Sequence, residues 1–272
     1  MVKLILALFS IFLFINSISK TYSATLTVAV ASNFAHSARQ IGQEFSKESG
    51  HKVRFVLGSS GKIAAQIRHG APFDIFLSAD QLRPKQLVAE GFALADSQFS
   101  YAEGALVLWS SHAEHRNKKL SVEFLKREAG KIALANPKLA PYGKAASSVL
   151  AKLANEAKPN KAGNIVQIQG ENIAQAYHFT QAGQVDAGFI AKSQWLSLQT
   201  EDRNNAWQVP KQLHPAILQD AVLLKRSSNK LSATAFWRFL QTPKAQQIIE
   251  SHGYSIPYSD SKDFDRNLDL KE

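Results

Sequence analysis

The chain has 272 residues, 45% hydrophobic and 20% charged, with a net charge of +10 at neutral pH and no cysteine. That composition is ordinary for a soluble globular protein, and it excludes a disulfide scaffold and a lipoprotein anchored through a cysteine. Lysines are scattered among acids, as at Lys118-Lys119, Lys126, Lys131, Lys138, Lys144 and Lys152, without an arginine-rich arm, so no nucleic-acid partner is expected.

Lys3, an apolar run over residues 4–15, a polar stretch over 16–23 and the small Ala24 form the layout of a secretory signal peptide, too short for a comfortable membrane span. Cleavage after Ala24 is expected, and the loss of Lys3 and Lys20 without an acid lowers the charge from +10 to +8. Thr27-Val28-Ala29-Val30 then reads as a buried strand, and beyond Ser32-Asn33 the apolar residues Phe34, Ala38, Ile41 and Phe45 recur at helical spacing. Val53, Phe55 and Leu57 alternate as in a strand, and after Gly58-Ser59-Ser60-Gly61-Lys62 the residues Ile63, Ala64 and Ile67 continue as a helix.

Asp74-Ile75-Phe76-Leu77 predicts a third strand, Ser78-Ala79-Asp80 a cap, and 81–90 a helix that Gly91 stops. Strands follow at 105–109 and 131–135, and after Pro141-Tyr142-Gly143 the stripe Ala146, Val149, Leu150, Leu153 marks a helix ending near Lys158-Pro159-Asn160. Ile165-Val166-Gln167-Ile168 is strand-like, and Glu171-Asn172 opens a helix carrying Ile173, Ala176 and Tyr177. Further strands are expected at 187–191 and 221–224, then amphipathic segments at 234–240 and 244–252, and a frayed tail from 258 onward.

Alternation of this kind implies an α/β fold with mostly parallel sheet and covering helices. Four strand-to-helix junctions carry donors: Ser32-Asn33, Ser59-Ser60-Gly61, Pro141-Tyr142-Gly143 and Glu171-Asn172-Ile173. The first N–H groups of a helix lack intrahelical partners and its dipole leaves about half a positive charge there, which suits an oxyanion. Taken singly, such a junction is more often an ordinary N-cap than a ligand site. Two lie early and two late, as two lobes facing across a cleft require.

Several stretches together resemble the periplasmic molybdate-binding proteins of ABC importers, within the two-lobed class of solute-binding proteins. They are Val28-Ala29-Val30-Ala31-Ser32-Asn33-Phe34, the run from Gly58 to Ile67, the run from Gly70 to Asp80, Ala135-Asn136-Pro137 with Ala140-Pro141-Tyr142-Gly143, and Asp186-Ala187-Gly188-Phe189-Ile190-Ala191. The resemblance implies a periplasmic, monomeric, non-enzymatic receptor that carries molybdate or tungstate as an oxyanion, without a cofactor or a directly bound metal, to a membrane permease. It implies a two-lobed binding-protein fold with a two-strand hinge near Gly104 and Ala221. Residues 1–24 would be the signal peptide, 25–103 with 221–258 the first lobe, 104–220 the second and 259–272 a flexible tail.

The resemblance also implies that Ser32 and Ser60 donate hydroxyl and backbone hydrogen bonds, and that Tyr142 and Ile173 donate backbone N–H groups. Some family members carry a tyrosine where this chain has Ala191, and the side chains of Asn33 and Tyr142 are expected to compensate. Hydrogen bonds to a charged group contribute roughly 1.5 to 3 kcal/mol each, so about half a dozen can balance a buried dianion, and Lys62 and Lys144 are read as solvated. A donor-only pocket would reject phosphate, which keeps a proton, unless Glu171 points inward to accept it.

The rival readings are another oxyanion, sulfate or phosphate, and an exported hydrolase. The Gly58 to Lys62 stretch lacks both the phosphate-loop gap and the nucleophile-elbow spacing. A scattered triad would need His36, His178 or His214 as base. His112 and His115 are too few to hold a metal without further ligands.

Overall fold

The structure is a computed structural model that describes residues 25–115, 120–156 and 165–257. The expected signal peptide, the Lys118-Lys119 pair, the helix end near Lys158-Pro159-Asn160 and the expected tail lie outside the described residues. Strands β1 (Thr25–Ala31), β2 (Lys52–Gly58), β3 (Ile75–Leu77), β4 (Phe99–Gly104) and β10 (Ile217–Leu223) form one sheet in the order β2-β1-β3-β10-β4. Strands β5 (Leu106–Trp109), β6 (Lys131–Ala135), β7 (Val166–Gly170), β8 (Ala187–Ala191) and β9 (Ala206–Gln208) form the other, in the order β7-β6-β8-β5-β9.

In the first sheet β1, β2 and β3 run parallel while β10 lies antiparallel between β3 and β4. In the second, β6, β7 and β8 are parallel and β5 is antiparallel to β8 and β9. The chain therefore leaves the first sheet after Gly104 and has returned by Ile217. Ala221 falls inside β10, paired with Leu77 and Phe99.

Central parallel strands are covered on both faces and so read as continuous apolar runs. Leu26, Val28 and Val30 of β1 pack into a cluster with Ile41 and Phe45 of α1 (Ala35–Ser49) and with Phe236 and Ile249 of α8 (Lys230–Phe239) and α9 (Pro243–Ser251). Ala29 and Phe76 face the opposite way, onto Ile63 and Ile67 of α2 (Ser60–Arg68) and Leu87 of α3 (Leu82–Ala89). The second sheet packs Ile132 and Leu134 with Phe124 of α4 (Val122–Arg127), Val149 of α5 (Pro141–Glu156) and Ala176 of α6 (Ile173–Gln181). Helix α3 ends as Gly91 predicts, with φ at 80° and its N–H on the Val88 carbonyl.

Register places the functional ends together. Ala31 pairs with Gly58, so the turns that follow β1 and β2 leave the sheet side by side. Ala135 pairs with Gly170, and the Asn136 N–H donates to the Gly170 carbonyl at 2.7 Å, which does the same for β6 and β7.

Candidate functional site

The Ser32–Phe34 turn is a short 3-10 helix between β1 and α1. Phe34 is fully buried and anchors it, with its ring edge-on to Tyr101 at 4.8 Å and to Tyr254 at 5.3 Å. Such pairs add about 0.5–1.5 kcal/mol beyond the burial itself. The Ser32 hydroxyl has no partner among the described residues, so its proton is available.

The next turn loads its donors selectively. Ser59 caps α2 by accepting from the Lys62 N–H at 3.4 Å, and the Gly61 N–H donates at 2.9 Å to the Leu139 carbonyl in the turn between β6 and α5. The first-turn N–H left over is that of Ser60. The Ser60 oxygen accepts from the Ala79 N–H at 2.9 Å in a fully buried position. That bond fixes the oxygen and leaves the hydroxyl proton to donate elsewhere.

The second sheet repeats the arrangement. Asn172 caps α6 by accepting from the N–H groups of Ala174 at 3.0 Å and Gln175 at 3.1 Å, so the Ile173 N–H remains open. Helix α5 starts on Pro141, which has no N–H, and its i→i−4 bonding begins with Lys144 onto Ala140, leaving the Tyr142 and Gly143 N–H groups open. Gly143 permits the close approach of this turn to β6, because a Cβ there would lie 2.2 Å from the Ala135 carbonyl oxygen.

These four turns enclose one hollow, lined among others by Ser32, Asn33, Ser60, Ala79, Tyr142 and Ile173. It is small, about 10 Å³, far below the hundreds of Å³ of a pocket for an organic ligand. No Asp, Glu, Lys, Arg or His lines it. All five residues expected at the site, Ser32, Asn33, Ser60, Tyr142 and Ile173, meet at this hollow.

Their side-chain roles differ from the expectation in one respect. The Asn33 amide nitrogen donates to Gln219 Oε1 at 2.8 Å and to Tyr254 Oη at 3.1 Å. Both of its hydrogens are spent on the protein, which leaves the turn backbone as what Asn33 offers the hollow. The Tyr142 hydroxyl lies against Gly104 and receives the Gln219 amide at 3.5 Å. Burial pushes the Tyr142 phenol well above its usual range, so it stays protonated. Gln219 and Tyr254 were missed by sequence reasoning, since neither sits at a strand-to-helix junction.

Lys62 Nζ pairs with both Glu171 carboxylate oxygens at 3.0 Å, on the exposed rim between the two sheets. Glu171 therefore does not point inward to accept a phosphate proton, and Lys144 is exposed. Ala191 is buried at the start of α7 (Lys192–Leu196) and is not among the residues lining the hollow. Beside the hollow lies a larger pocket of about 300 Å³ lined by His36, Arg39 and His178.

The hydrolase constellation has no support in the geometry. The His214 Nδ1 is 2.8 Å from the Pro215 carbonyl, His36 packs edge-on against His252, and His178 is exposed. A His–Ser pair does occur, His252 Nδ1 to Ser37 Oγ at 2.9 Å, but Ser37 is fully buried. His112 Nε2 lies 3.0 Å from the Val185 carbonyl, and no group of three or more metal-ligating side chains occurs among the described residues.

Comparison with known proteins agrees with this geometry. The chain is 43% identical over 228 residues to the molybdate-binding protein ModA of Rhodobacter capsulatus, spanning 83% of this chain and 86% of the relative. It is 40% identical over 236 residues to ModA of Azotobacter vinelandii, spanning 86% and 91%. The solved structure of the periplasmic molybdate-binding protein of Azotobacter vinelandii superposes with a TM-score of 0.77 at 36% identity, covering 86% of this chain and all of that one. The fold is thus the α/β two-lobed periplasmic binding-protein fold, one five-stranded sheet to a lobe. Residues 26–255 match the family of bacterial extracellular solute-binding proteins, a non-enzymatic class, and the chain belongs to that family, with the ModA proteins among its relatives.

Proposed function

We propose that this protein captures molybdate, and tungstate of nearly the same size, outside the cytoplasm and delivers it to the membrane permease of an ABC importer. The observation that carries this reading is the small hollow lined by open N–H and O–H donors from turns of both sheets, with no ionised side chain on its wall. A tetrahedral dianion offers only acceptors, and uncharged donors at helix starts match it without a counter-charge. ModA relatives of 43% and 40% identity point to the same ligand.

Ser32 and Ser60 would supply hydroxyl protons and backbone N–H groups from the first lobe, Asn33 its turn backbone, and Tyr142 and Ile173 backbone N–H groups from the second. The first lobe would be built on the sheet of β1–β4 and β10 and the second on that of β5–β9, so the boundary expected between 220 and 221 moves to just before Ile217 and Gly104 stays with the first lobe. A signal peptide at 1–24 would direct export, 259–272 would form a tail, and the receptor would act as a monomer. Contacts from both lobes to one anion stabilise the closed form, whose surface the permease reads.

Sulfate is the competing dianion, separated from molybdate by size. Phosphate carries a proton that finds no carboxylate on the wall, because Glu171 is held on the rim by Lys62. Titration calorimetry with molybdate, tungstate, sulfate and phosphate tests the reading. Tight molybdate and tungstate binding with weak sulfate and no phosphate binding is expected; equal affinity for phosphate, or no molybdate binding, refutes it.

A further inference from the structure

Beneath the hollow, six buried polar side chains from both sheets and from the segment after α9 converge at the Ser32–Phe34 turn. Ser193, in the first turn of α7, donates its hydroxyl to the Asn33 carbonyl at 3.0 Å, 160 residues away in sequence. Tyr254, in the segment after α9, donates to the same carbonyl at 2.8 Å and lies 3.0 Å from Ser193 Oγ. The Asn33 amide returns a hydrogen to Tyr254 Oη and gives the other to Gln219 Oε1. Tyr101 shares Gln219 Oε1 at 3.2 Å, and Gln219 Nε2 reaches the Tyr142 hydroxyl.

At Asn33 the proton count closes. The Asn33 carbonyl uses both lone pairs on Ser193 and Tyr254, and its amide uses both hydrogens. Burial pushes Tyr254 up to about 12, so its phenol remains a donor at neutral pH. Gly104 has no side chain where a Cβ would meet Tyr142 Oη at 2.0 Å and Gln219 Nε2 at 2.8 Å, so β4 admits the network at the point where the chain leaves the first sheet.

Two of the members sit on elements of the second sheet, Ser193 beside β8 and Tyr142 on α5, while the others sit on the first sheet or pack against it. We propose that Ser193 and Tyr254 are positioning residues for oxyanion binding. They form a latch across the lobes, made in the closed state, that fixes the Asn33 turn without touching the ligand. This rests on the reading of the hollow as an oxyanion site. When the lobes part, Ser193 separates from Asn33 and Tyr254, and the turn loses a fixed acceptor geometry on its side facing away from the ligand. The latch therefore adds to the affinity of every anion that closes the protein and discriminates between none of them.

The test uses the full mature protein with Ser193→Ala, Tyr254→Phe and the rescue variant Ser193→Thr, and it measures molybdate, tungstate and sulfate binding by stopped flow and calorimetry. Loss of one ordinary hydrogen bond corresponds to an affinity drop of about 2- to 10-fold. That drop is expected in dissociation rate, equal for all three anions, with the ligand-free Tm of Ser193→Ala unchanged and partial recovery in Ser193→Thr. A pocket residue would change the ratios among the anions, and a purely structural residue would lower the ligand-free Tm and leave affinity alone. Either outcome overturns the latch, as does a wild type that binds while all variants match it. A wild type that binds none of the anions removes the functional reading and the latch with it.

Discussion

Ser60→Ala is the perturbation that separates the binding role of a hydroxyl from its structural one. The Ser60 oxygen accepts the Ala79 N–H at 2.9 Å in a fully buried position, and its proton is left to point into the hollow. Removing it deletes one hydrogen bond to a dianion, about 1.5–3 kcal/mol, which corresponds to roughly 10- to 150-fold in Kd. It also leaves the Ala79 N–H buried without its acceptor, a cost of about 1–3 kcal/mol. Ser60 and Ala79 belong to the same lobe, on α2 and at the end of β3, so that cost falls equally on open and closed protein and cancels in Kd. Calorimetry with molybdate should therefore show the affinity loss, while a ligand-free melting curve reports the Ala79 penalty separately. A Kd within twofold of wild type together with a lowered ligand-free Tm refutes the reasoning, because Ser60 would then serve only as the acceptor for Ala79.

Other perturbations follow from the same geometry. Gly104→Ala puts a Cβ into the Tyr142 hydroxyl and should cost about 1–3 kcal/mol as overpacking, seen as a lowered Tm and weaker molybdate binding. An unchanged Tm would mean that Tyr142 moves freely. Glu171→Gln releases an exposed rim pair with Lys62 and should change molybdate Kd by less than about fivefold, with phosphate unbound before and after in calorimetry. Glu44 is held at about 2 by hydrogen bonds from Lys244, which ties α1 to α9, and from Lys47 on α1 itself. Its folded value lies below the unfolded one, so its contribution is fully present above about pH 4.5 and is lost as pH falls toward 2. Melting curves from pH 5 to 2 should therefore show a smaller acid-induced decline in Glu44→Gln than in wild type.

What the sequence revealed was local in origin. A hydroxyl or Asn between an apolar run and a helical stripe is readable because the strand, the cap and the helix are all set by neighbours a few residues apart. Ser32, Ser59-Ser60 and Asn172 were legible for that reason, as was the Gly91 stop. The relative placement of the turns needed strand register, Ala31 beside Gly58 and Ala135 beside Gly170, which no local pattern encodes. The same holds for the antiparallel insertion of β10 between β3 and β4. The fate of the Asn33 amide was illegible because its partners Gln219 and Tyr254 lie 186 and 221 residues away. Gln219 shows in the sequence only as a polar residue interrupting a strand-like run, a signal that in hindsight marks a buried polar network.

The central claim is that a dianion is held between two lobes by uncharged donors alone, and a crystal structure with molybdate bound tests it most directly. The account predicts the anion among Ser32, Ser60, Tyr142 and Ile173, with its oxygens on N–H and O–H donors and no Lys or Arg nitrogen within about 4 Å, the reach of an ion pair. An anion seated instead in the neighbouring pocket against Arg39, or a lysine folded onto it within the hollow, would contradict it.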